Sequence, residues 1–154
     1  CKLRLNKSSE DLQQISDDIL SKRLIKYPTS LRCPGSFFKN VVLDELSQET
    51  TDQIPDDFVM FGKIPAGKLL EAVGANGIRK GEAQFADYHG NLMINLGQAS
   101  SQDILKLADE YAGRVLERFG IQLQPEVVII DNNQWPYLQT NSYTFLKNKE
   151  KQAP

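Results

Sequence analysis

The sequence predicts an α/β protein of the α+β kind, in which helices pack against a small mixed sheet. Three observations lead to this class: segments with apolar residues at helical spacing have their own caps, short apolar runs are typical of strands, and connectors containing Gly or Pro separate them. The chain has 154 residues, 40% hydrophobic and 25% charged, which is the usual composition of globular proteins. A chain of this length buries roughly 70% of its unfolded surface, which is enough for one core.

The N-terminal segment predicts the end of a strand followed by a helix. Lys2-Leu3-Arg4-Leu5 alternates, which indicates a strand that starts before the sequence does. Ser8, with Asp11 three residues later, offers a helix N-cap. We expect an amphipathic helix over about residues 9–25 that cannot continue through Pro28. Its apolar residues at helical spacing are Leu12, Ile15, Ile19 and Leu20.

The middle of the chain predicts a connector, a short helix, a loop and a strand. Two prolines and one glycine between Tyr27 and Gly35 predict an extended connector with a turn. Residues 65–73 have helical spacing, with a proline in the first turn and Gly74 as the C-terminal stop. The glycines of GANGIRKG, residues 74–81, have neither dinucleotide-binding nor P-loop spacing, so we expect a bending loop. The apolar run 92–96 predicts a strand.

The most strongly marked helix follows Ser100, which forms a predicted capping box with Asp103. Gly120 ends this helix. Its single apolar stripe comprises Ile104, Ala108, Tyr111, Ala112, Val115 and Phe119. The segment Ile121–Asp131 alternates before Pro125 and is continuously apolar from residue 127 to 130, so it predicts a strand that enters a buried sheet.

Composition argues against several classes of function. The net charge is −2 and the Lys and Arg residues are scattered, which gives no basic surface for nucleic acid. No apolar run approaches the roughly 20 residues that span a membrane. Cys1 and Cys33 cannot form a disulfide framework and fit a reducing cytoplasm, and His89 has no neighbouring ligands for a metal. Residues 132–154 are polar apart from scattered aromatics and predict a peripheral tail.

The segment Arg32–Asn40, RCPGSFFKN, contains the residues best suited to binding or chemistry. Its Pro-Gly bend can expose Ser36 while an adjacent phenylalanine anchors the following chain. Lys39 can hold a phosphate as a point charge, and Asn40 offers a donor and an acceptor to a base or sugar. Residue types alone favour a simpler interpretation, a turn serine and a solvated lysine. A serine hydrolase is disfavoured because GSF is not a G-x-S-x-G elbow and His89 has no evident orienting carboxylate.

Four blocks in this order resemble a known family: RCPGSFFKN, PAGKLLEAVGANGIRKGEAQ, YHGNLMINLGQASSQD and RFGIQLQPEVVII. They resemble successive parts of the C-terminal domain of UDP-N-acetylenolpyruvoylglucosamine reductases. The resemblance covers about residues 27–131, and four blocks at ordinary spacing are far more specific than one. It implies that residues 27–131 are a substrate-binding domain and that residues 1–26 are the end of a flavin-binding region.

The resemblance also implies roles for individual residues. In this family, reduced flavin gives hydride to the enolpyruvyl double bond of a UDP-sugar, and a serine protonates the neighbouring carbon. Ser36 matches that serine, and Glu126 matches a carboxylate that assists proton delivery or orients the intermediate. Without the family, a buried or clefted position for Glu126 and a solvent-facing one are about equally expected. Lys39 and Asn40 match positions that touch the nucleotide diphosphate. His89 and Asn91 match an H-x-N block for which we expect structural hydrogen bonds, and three residues are interpreted as surface charges: Glu71, Arg79 and Lys80.

The resemblance implies a flavin- and NADPH-dependent enzyme of peptidoglycan precursor synthesis, of which this chain is one part. FAD and NADPH serve the complete enzyme, and the flavin-anchoring residues lie outside this sequence, so we expect neither tight flavin binding nor turnover by this chain alone. Val41 stands where the family usually has proline, and Gln124 where it has glutamate; Val41 is expected to alter the loop that presents Asn40. A stand-alone module that binds a UDP-sugar without chemistry remains the alternative, and the gene sequence upstream of Cys1 distinguishes the two.

Overall fold

The computed structural model of the protein describes residues 9–129, apart from the side chain of Lys26. The chain divides into two compact units, the first reaching Leu31 and the second beginning at Arg32. The predicted domain limits at residues 26 and 131 stay a prediction. Three other predictions fall outside the described residues: the strand at residues 2–5, the cap at Ser8 and the tail over residues 132–154.

The first unit contains helix α1, Leu12–Lys26. Its N-cap is Asp11, whose carboxylate accepts hydrogen bonds from the main-chain N–H groups of Gln13 and Gln14, both at 3.1 Å. The helix is therefore confirmed, but its predicted amphipathic character is wrong. At about 100° per residue, Lys22 and Arg23 fall on the same side of the helix as the apolar residues, so no separate apolar stripe forms. They are also exposed: Leu12, Ile15, Ile19, Leu20, Leu24 and Ile25.

The second unit combines short helices with two small antiparallel sheets, which confirms the predicted class. Its strands are β1 (Val41–Val42), β2 (Lys63–Ile64), β3 (Arg79–Lys80), β4 (Ala83–Ala86) and β5 (His89–Asn95). β1 pairs with β2, and the other three form a sheet in the order β3-β4-β5. Its helices are α2 (Gln48–Thr51), α3 (Ala66–Ala72) and α4 (Ser101–Phe119), with 3₁₀ turns at Leu43–Glu45 and Asp56–Phe58.

Helix α4 begins after Ser100 and ends at Gly120, as the sequence predicts. The Ser100 hydroxyl oxygen accepts a hydrogen bond from the main-chain N–H of Asp103 at 3.1 Å, and the Asp103 carboxylate accepts one from the N–H of Ser100 at 2.9 Å. Gly120 ends the helix at a φ of 66°, in the left-handed region that favours glycine. The apolar stripe lies against the three-stranded sheet, and the Tyr111 ring meets the Phe85 ring edge-on with centroids 5.4 Å apart. Its buried residues are Leu107, Ala108, Tyr111, Ala112, Val115 and Phe119.

The predicted short helix is also confirmed, as α3, and it packs closely on β5. A Cβ at Gly67 of α3 would lie 3.1 Å from the His89 ring, and a Cβ at Gly90 of β5 would lie 3.0 Å from the Gly67 carbonyl oxygen. The backbones approach each other this closely because neither glycine has a side chain. The Glu71 carboxylate also accepts a hydrogen bond from the Gly90 N–H, at 3.1 Å. This contact fixes where β5 lies relative to α3.

The strand predicted over Ile121–Asp131 is wrong within its described part, residues 121–129. Ile121 and Leu123 are buried, as the alternation indicates, and Pro125 makes one isolated bridge to Phe38. Pro125 has no N–H to donate to a ladder, and Val128 beyond it is 63% exposed. The segment therefore stays extended against the core without joining a sheet.

Candidate functional site

The predicted site segment, residues 32–40, lies along β5. The Asn95 N–H donates to the Arg32 carbonyl at 2.9 Å, and the Phe37 N–H donates to the Asn91 carbonyl at 2.9 Å. Between these bonds, Ser36 forms an isolated antiparallel bridge with Leu92. The segment is not a regular strand because Pro34 cannot donate and Gly35 has a φ of 99°. The bend that the Pro-Gly pair predicts is therefore present.

Two buried aromatic rings and one asparagine hold this segment. Phe37 and Phe38 are 2% and 0% exposed, and their rings meet edge-on with centroids 4.9 Å apart. The Asn91 side chain accepts a hydrogen bond from the Phe38 N–H and donates one to the Phe38 carbonyl, each at 2.8 Å. Buried main-chain groups are costly to leave unpaired, so these bonds make the local geometry specific. Ser36 and Lys39, on either side of the anchors, are both exposed.

The extended segment after α4 forms the other edge of the site. The Lys39 N–H donates to the Gln124 carbonyl and the Glu126 N–H donates to the Phe37 carbonyl, both at 2.8 Å. Glu126 is therefore bonded through its main chain to the residue that follows Ser36. Glu126 is exposed and therefore not buried. The structure thus brings an exposed hydroxyl and an exposed carboxylate onto neighbouring pieces of chain.

Asn40 has a structural bond in addition to its predicted role. Its side-chain oxygen accepts a hydrogen bond from the Ala66 N–H, at 3.2 Å, at the start of α3. The residue is exposed, and its amide also has two N–H donors that can serve a ligand. Val41, the departure from the family pattern, begins β1 and pairs with Ile64. The β1–β2 pair therefore continues directly from Lys39 and Asn40.

The hydrogen bonds that attach Arg32 to the end of β5 were not predicted from the sequence. The Arg32 guanidinium donates to the Gly97 carbonyl at 3.0 Å, so both the main chain and the side chain of Arg32 hold the end of β5. Glu71, predicted as a surface charge, is exposed but also accepts the bond from Gly90.

The chemistry of a serine hydrolase does not fit this geometry. His89 uses Nδ1 to accept a hydrogen bond from the Asn91 N–H, at 3.1 Å. Ser36 is opposite Leu92, three residues further along β5. Three residues of strand span about 10 Å, which is well beyond hydrogen-bond reach. The structural role predicted for His89 and Asn91 agrees with these bonds.

The glycine loop over residues 74–81 does not fit a pyrophosphate group. A Cβ at Gly77 would lie 2.6 Å from the Asp87 carboxylate, and one at Gly81 would lie 2.9 Å from the Asp103 carboxylate. Two carboxylates against the loop repel phosphate oxygens. Within residues 9–129, no three side chains of His, Cys, Asp or Glu come together as candidate metal ligands, and no helix has the length and apolar character to cross a membrane.

Two carboxylates of α4 have lowered pKa values, and the groups that cause these shifts lie outside the candidate site. Hydrogen bonds from the Ser100 side chain and main chain hold the pKa of Asp103 below its ordinary value. The pKa of Glu110 is lowered mainly by a hydrogen bond from Lys80, at 3.2 Å, with a further contribution from Arg114. The Lys80–Glu110 ion pair connects β3 to α4 at the surface, where such pairs contribute little stability.

Comparisons with known proteins give a consistent result. The family described as "UDP-N-acetylenolpyruvoylglucosamine reductase, C-terminal domain" matches residues 27–130. A UDP-N-acetylenolpyruvoylglucosamine reductase of Solibacter usitatus is 42% identical over 117 residues, which are 76% of this chain and 38% of that protein. One of Syntrophus aciditrophicus is 34% identical over 121 residues, 79% of this chain and 32% of that protein. The crystal structure of the Thermus caldophilus reductase aligns with 81% of this chain and 36% of that one, at 27% identity and a TM-score of 0.48. The chain spans between 32% and 38% of the length of these relatives.

Proposed function

Because this chain belongs to the family of UDP-N-acetylenolpyruvoylglucosamine reductase C-terminal domains, we propose that it is the substrate-binding part of an oxidoreductase of peptidoglycan precursor synthesis. The proposed reaction reduces UDP-N-acetylglucosamine enolpyruvate to UDP-N-acetylmuramate. One observation supports this assignment above the others. Ser36 and Glu126 are exposed on neighbouring pieces of chain, while Phe37 and Phe38 are buried and Asn91 bonds the Phe37 N–H and both main-chain groups of Phe38.

Ser36 is the proposed proton donor. Reduction of the enolpyruvyl double bond adds a hydride to one carbon and a proton to the other. Reduced flavin supplies the hydride when it is bound in the complete protein, and NADPH supplies its electrons. At the second carbon a C–H bond forms as the Oγ–H bond of Ser36 breaks, and the resulting alkoxide takes a proton from water. A hydroxyl is a weak acid, so the transfer requires a strongly basic acceptor such as this carbanion.

Glu126 and the Lys39–Asn40 pair complete the proposed roles. The Glu126 carboxylate assists the delivery of the proton or orients the intermediate, and its main-chain bond to Phe37 keeps it beside Ser36. Lys39 is exposed and offers a point charge to the diphosphate. The N–H donors of Asn40 serve the same part of the substrate. A protein that only binds UDP-sugars would need Lys39 and Asn40 but not Ser36.

The cofactors and the compartment are part of the proposal. FAD is assigned to the portion of the full-length protein that the relatives have beyond this chain, because the glycine loop described above does not suit a pyrophosphate. This chain alone is accordingly proposed to be inactive. We place the reaction in the cytoplasm, where the free thiol of Cys33 remains reduced.

The proposal is tested with Ser36→Ala in the protein joined to its flavin-binding region. We expect NADPH to reduce the flavin at nearly the wild-type rate, while formation of UDP-N-acetylmuramate falls by at least about 100-fold, the lower range for loss of a general acid. Ser30→Ala, which changes an exposed serine in the connector, is the matched control and should retain both activities. Equal loss of flavin reduction and product formation in Ser36→Ala would contradict the general-acid role.

A further inference from the structure

An exposed aromatic turn lies at the end of the β1–β2 pair and has no role in the reaction described so far. Met60 and Lys63 bond each other twice, N–H to carbonyl, at 2.7 and 3.0 Å. The two residues between them, Phe61 and Gly62, have φ values of 51° and 72°. Positive φ at both central positions is the geometry of a type I′ turn. Residues 60–63 are therefore a two-residue turn with Phe61 at its tip.

Phe61 destabilises this turn in two ways. Type I′ turns strongly favour Asn or Gly at this position, and a bulky side chain at positive φ is strained. Among residues 9–129, Phe61 is the only residue other than glycine with positive φ. Its side chain is also 100% exposed, so the ring gains nothing from burial. Strain of this kind persists at positions where a side chain serves binding or catalysis.

The turn lies at a definite distance from the proposed phosphate-binding pair. Val41 pairs with Ile64 and Val42 with Lys63, and the Leu43 N–H donates to the Gly62 carbonyl at 3.0 Å. The pairing therefore continues from Asn40 to the turn over three residues, or about 10 Å of strand. An extended nucleoside diphosphate spans a length of this order between its base and its terminal phosphate. With the diphosphate at Lys39 and Asn40, the base comes within reach of Phe61.

We propose that Phe61 is the surface on which the uracil ring of the UDP-sugar stacks. This inference rests on the proposed function, because it takes Lys39 and Asn40 as the diphosphate site. An exposed aromatic ring is the usual platform for a nucleobase, since every base has an apolar face. Met60, 48% exposed beside it, adds a polarizable contact. Phe61 is thus a specificity residue for the nucleotide part of the substrate, about 10 Å along the strand pair from the proposed diphosphate site.

The test compares two probes, UDP and pyrophosphate, which lacks the base, in calorimetric titrations of the 154-residue chain. Phe61→Ala should weaken UDP binding by at least about fivefold, the lower range for loss of one stacked base, and leave pyrophosphate binding unchanged. Phe61→Trp should retain UDP affinity. Phe61→Asn should lose UDP affinity as the alanine variant does, yet raise the midpoint of thermal unfolding by about 2–6 °C because Asn suits the turn. If Phe61 had only a structural role, the more stable Phe61→Asn variant would not lose UDP affinity.

Two control variants make failure of this inference distinguishable from failure of the proposed function. Tyr88→Ala removes an aromatic ring, 48% exposed, at the turn between β4 and β5, and should leave UDP binding unchanged. Lys39→Ala should weaken binding of both probes. If Phe61→Ala binds UDP like the wild type while Lys39→Ala does not, the inference is wrong and the proposed function stands. Equal loss of UDP and pyrophosphate affinity in Phe61→Ala also overturns stacking. Failure of the wild-type chain to bind UDP contradicts both proposals.

Discussion

Asn91 stabilises the candidate site without taking part in the proposed chemistry. It is 2% exposed and bonds both main-chain groups of Phe38, the residue between Phe37 and Lys39. The amide side chain suits this position because it carries a donor and an acceptor on one planar group. A change at Asn91 therefore affects the position of Ser36 and Lys39 through the backbone that connects them.

Replacing Asn91 with leucine tests this role at the residue scale. Asn91→Leu retains the approximate size of the side chain but leaves the N–H and carbonyl of Phe38 without these partners in the core. We expect a loss of about 2–4 kcal/mol in the free energy of unfolding, measured by urea denaturation. Gln122→Leu makes a similar change at an exposed position and should stay within about 0.5 kcal/mol of the wild type. Equal stability of the two variants would show that the bonds to Phe38 are not required.

At the scale of single elements, the start of α4 gives the fold a dependence on pH. The hydrogen bonds from Ser100 hold the pKa of Asp103 below its ordinary value, so the unfolded state binds more protons than the folded one in acid. The resulting stability is present above about pH 4 and is lost as the pH falls below it.

In Asp103→Asn, the midpoint of thermal unfolding should decline less steeply between about pH 5 and pH 2.5. Ser100→Ala should also flatten this decline and cost about 1 kcal/mol at pH 7. The same slope in all three proteins would contradict this origin of the pH dependence.

Gly90 of β5 and Gly113 of α4 have opposite predicted effects when changed to alanine. A Cβ at Gly90 would lie 2.9 Å from the Glu71 side chain and 3.0 Å from the Gly67 carbonyl oxygen, which is backbone and cannot move easily. A Cβ at Gly113, on an exposed position of α4, would meet nothing within 4 Å. We expect Gly90→Ala to lower the free energy of unfolding by about 1–3 kcal/mol and Gly113→Ala to raise it by about 0.5–1 kcal/mol. Chemical denaturation of both variants measures the difference, and a stable Gly90→Ala protein would contradict the close packing of α3 on β5.

The elements that the sequence predicted well are those whose signals are local. Helix α4 has its cap, stripe and terminal glycine within about 20 residues, as the helix-boundary rules require. The β1–β2 pair was missed because each strand has two residues and the pairing joins Val41 to Ile64 across a long loop. The strand predicted after Gly120 does not form within residues 121–129. Hydrophobic periodicity predicts it without taking into account that Pro125 has no N–H to donate to a neighbouring strand.

The same distinction applies to the candidate site. Ser36, Lys39 and Asn40 were identified from one short segment, and family resemblance added Glu126 from a distant one. The bond of Asn40 to Ala66 and the bonds of Asn91 to Phe38 join residues that are 26 and 53 positions apart. No local pattern in the sequence encodes such pairs. Phe61 was missed for another reason, since a phenylalanine before a glycine is an unusual signal for a type I′ turn.

At the scale of the whole molecule, the second unit presents one continuous set of proposed substrate contacts. The segment 36–40 lies between β5 and the residues near Glu126, and the β1–β2 pair leads from Asn40 to Phe61. Residues of α3, α4, β4 and β5 contribute to the hydrophobic core of this unit. The chain spans 32% and 38% of the length of two of its relatives, and in the proposed function the hydride donor lies outside this chain.

We propose that this chain binds the UDP-sugar through residues 36–40 and Glu126. The most direct measurement is an NMR titration of the ¹⁵N-labelled chain with UDP-N-acetylglucosamine enolpyruvate. We expect saturable shifts in the main-chain amide signals of residues 36–40 and 124–126, with a further shift at Phe61. The signals of the exposed face of α4 should not move. Shifts confined to other residues, or none at saturating substrate, would contradict substrate binding at these residues.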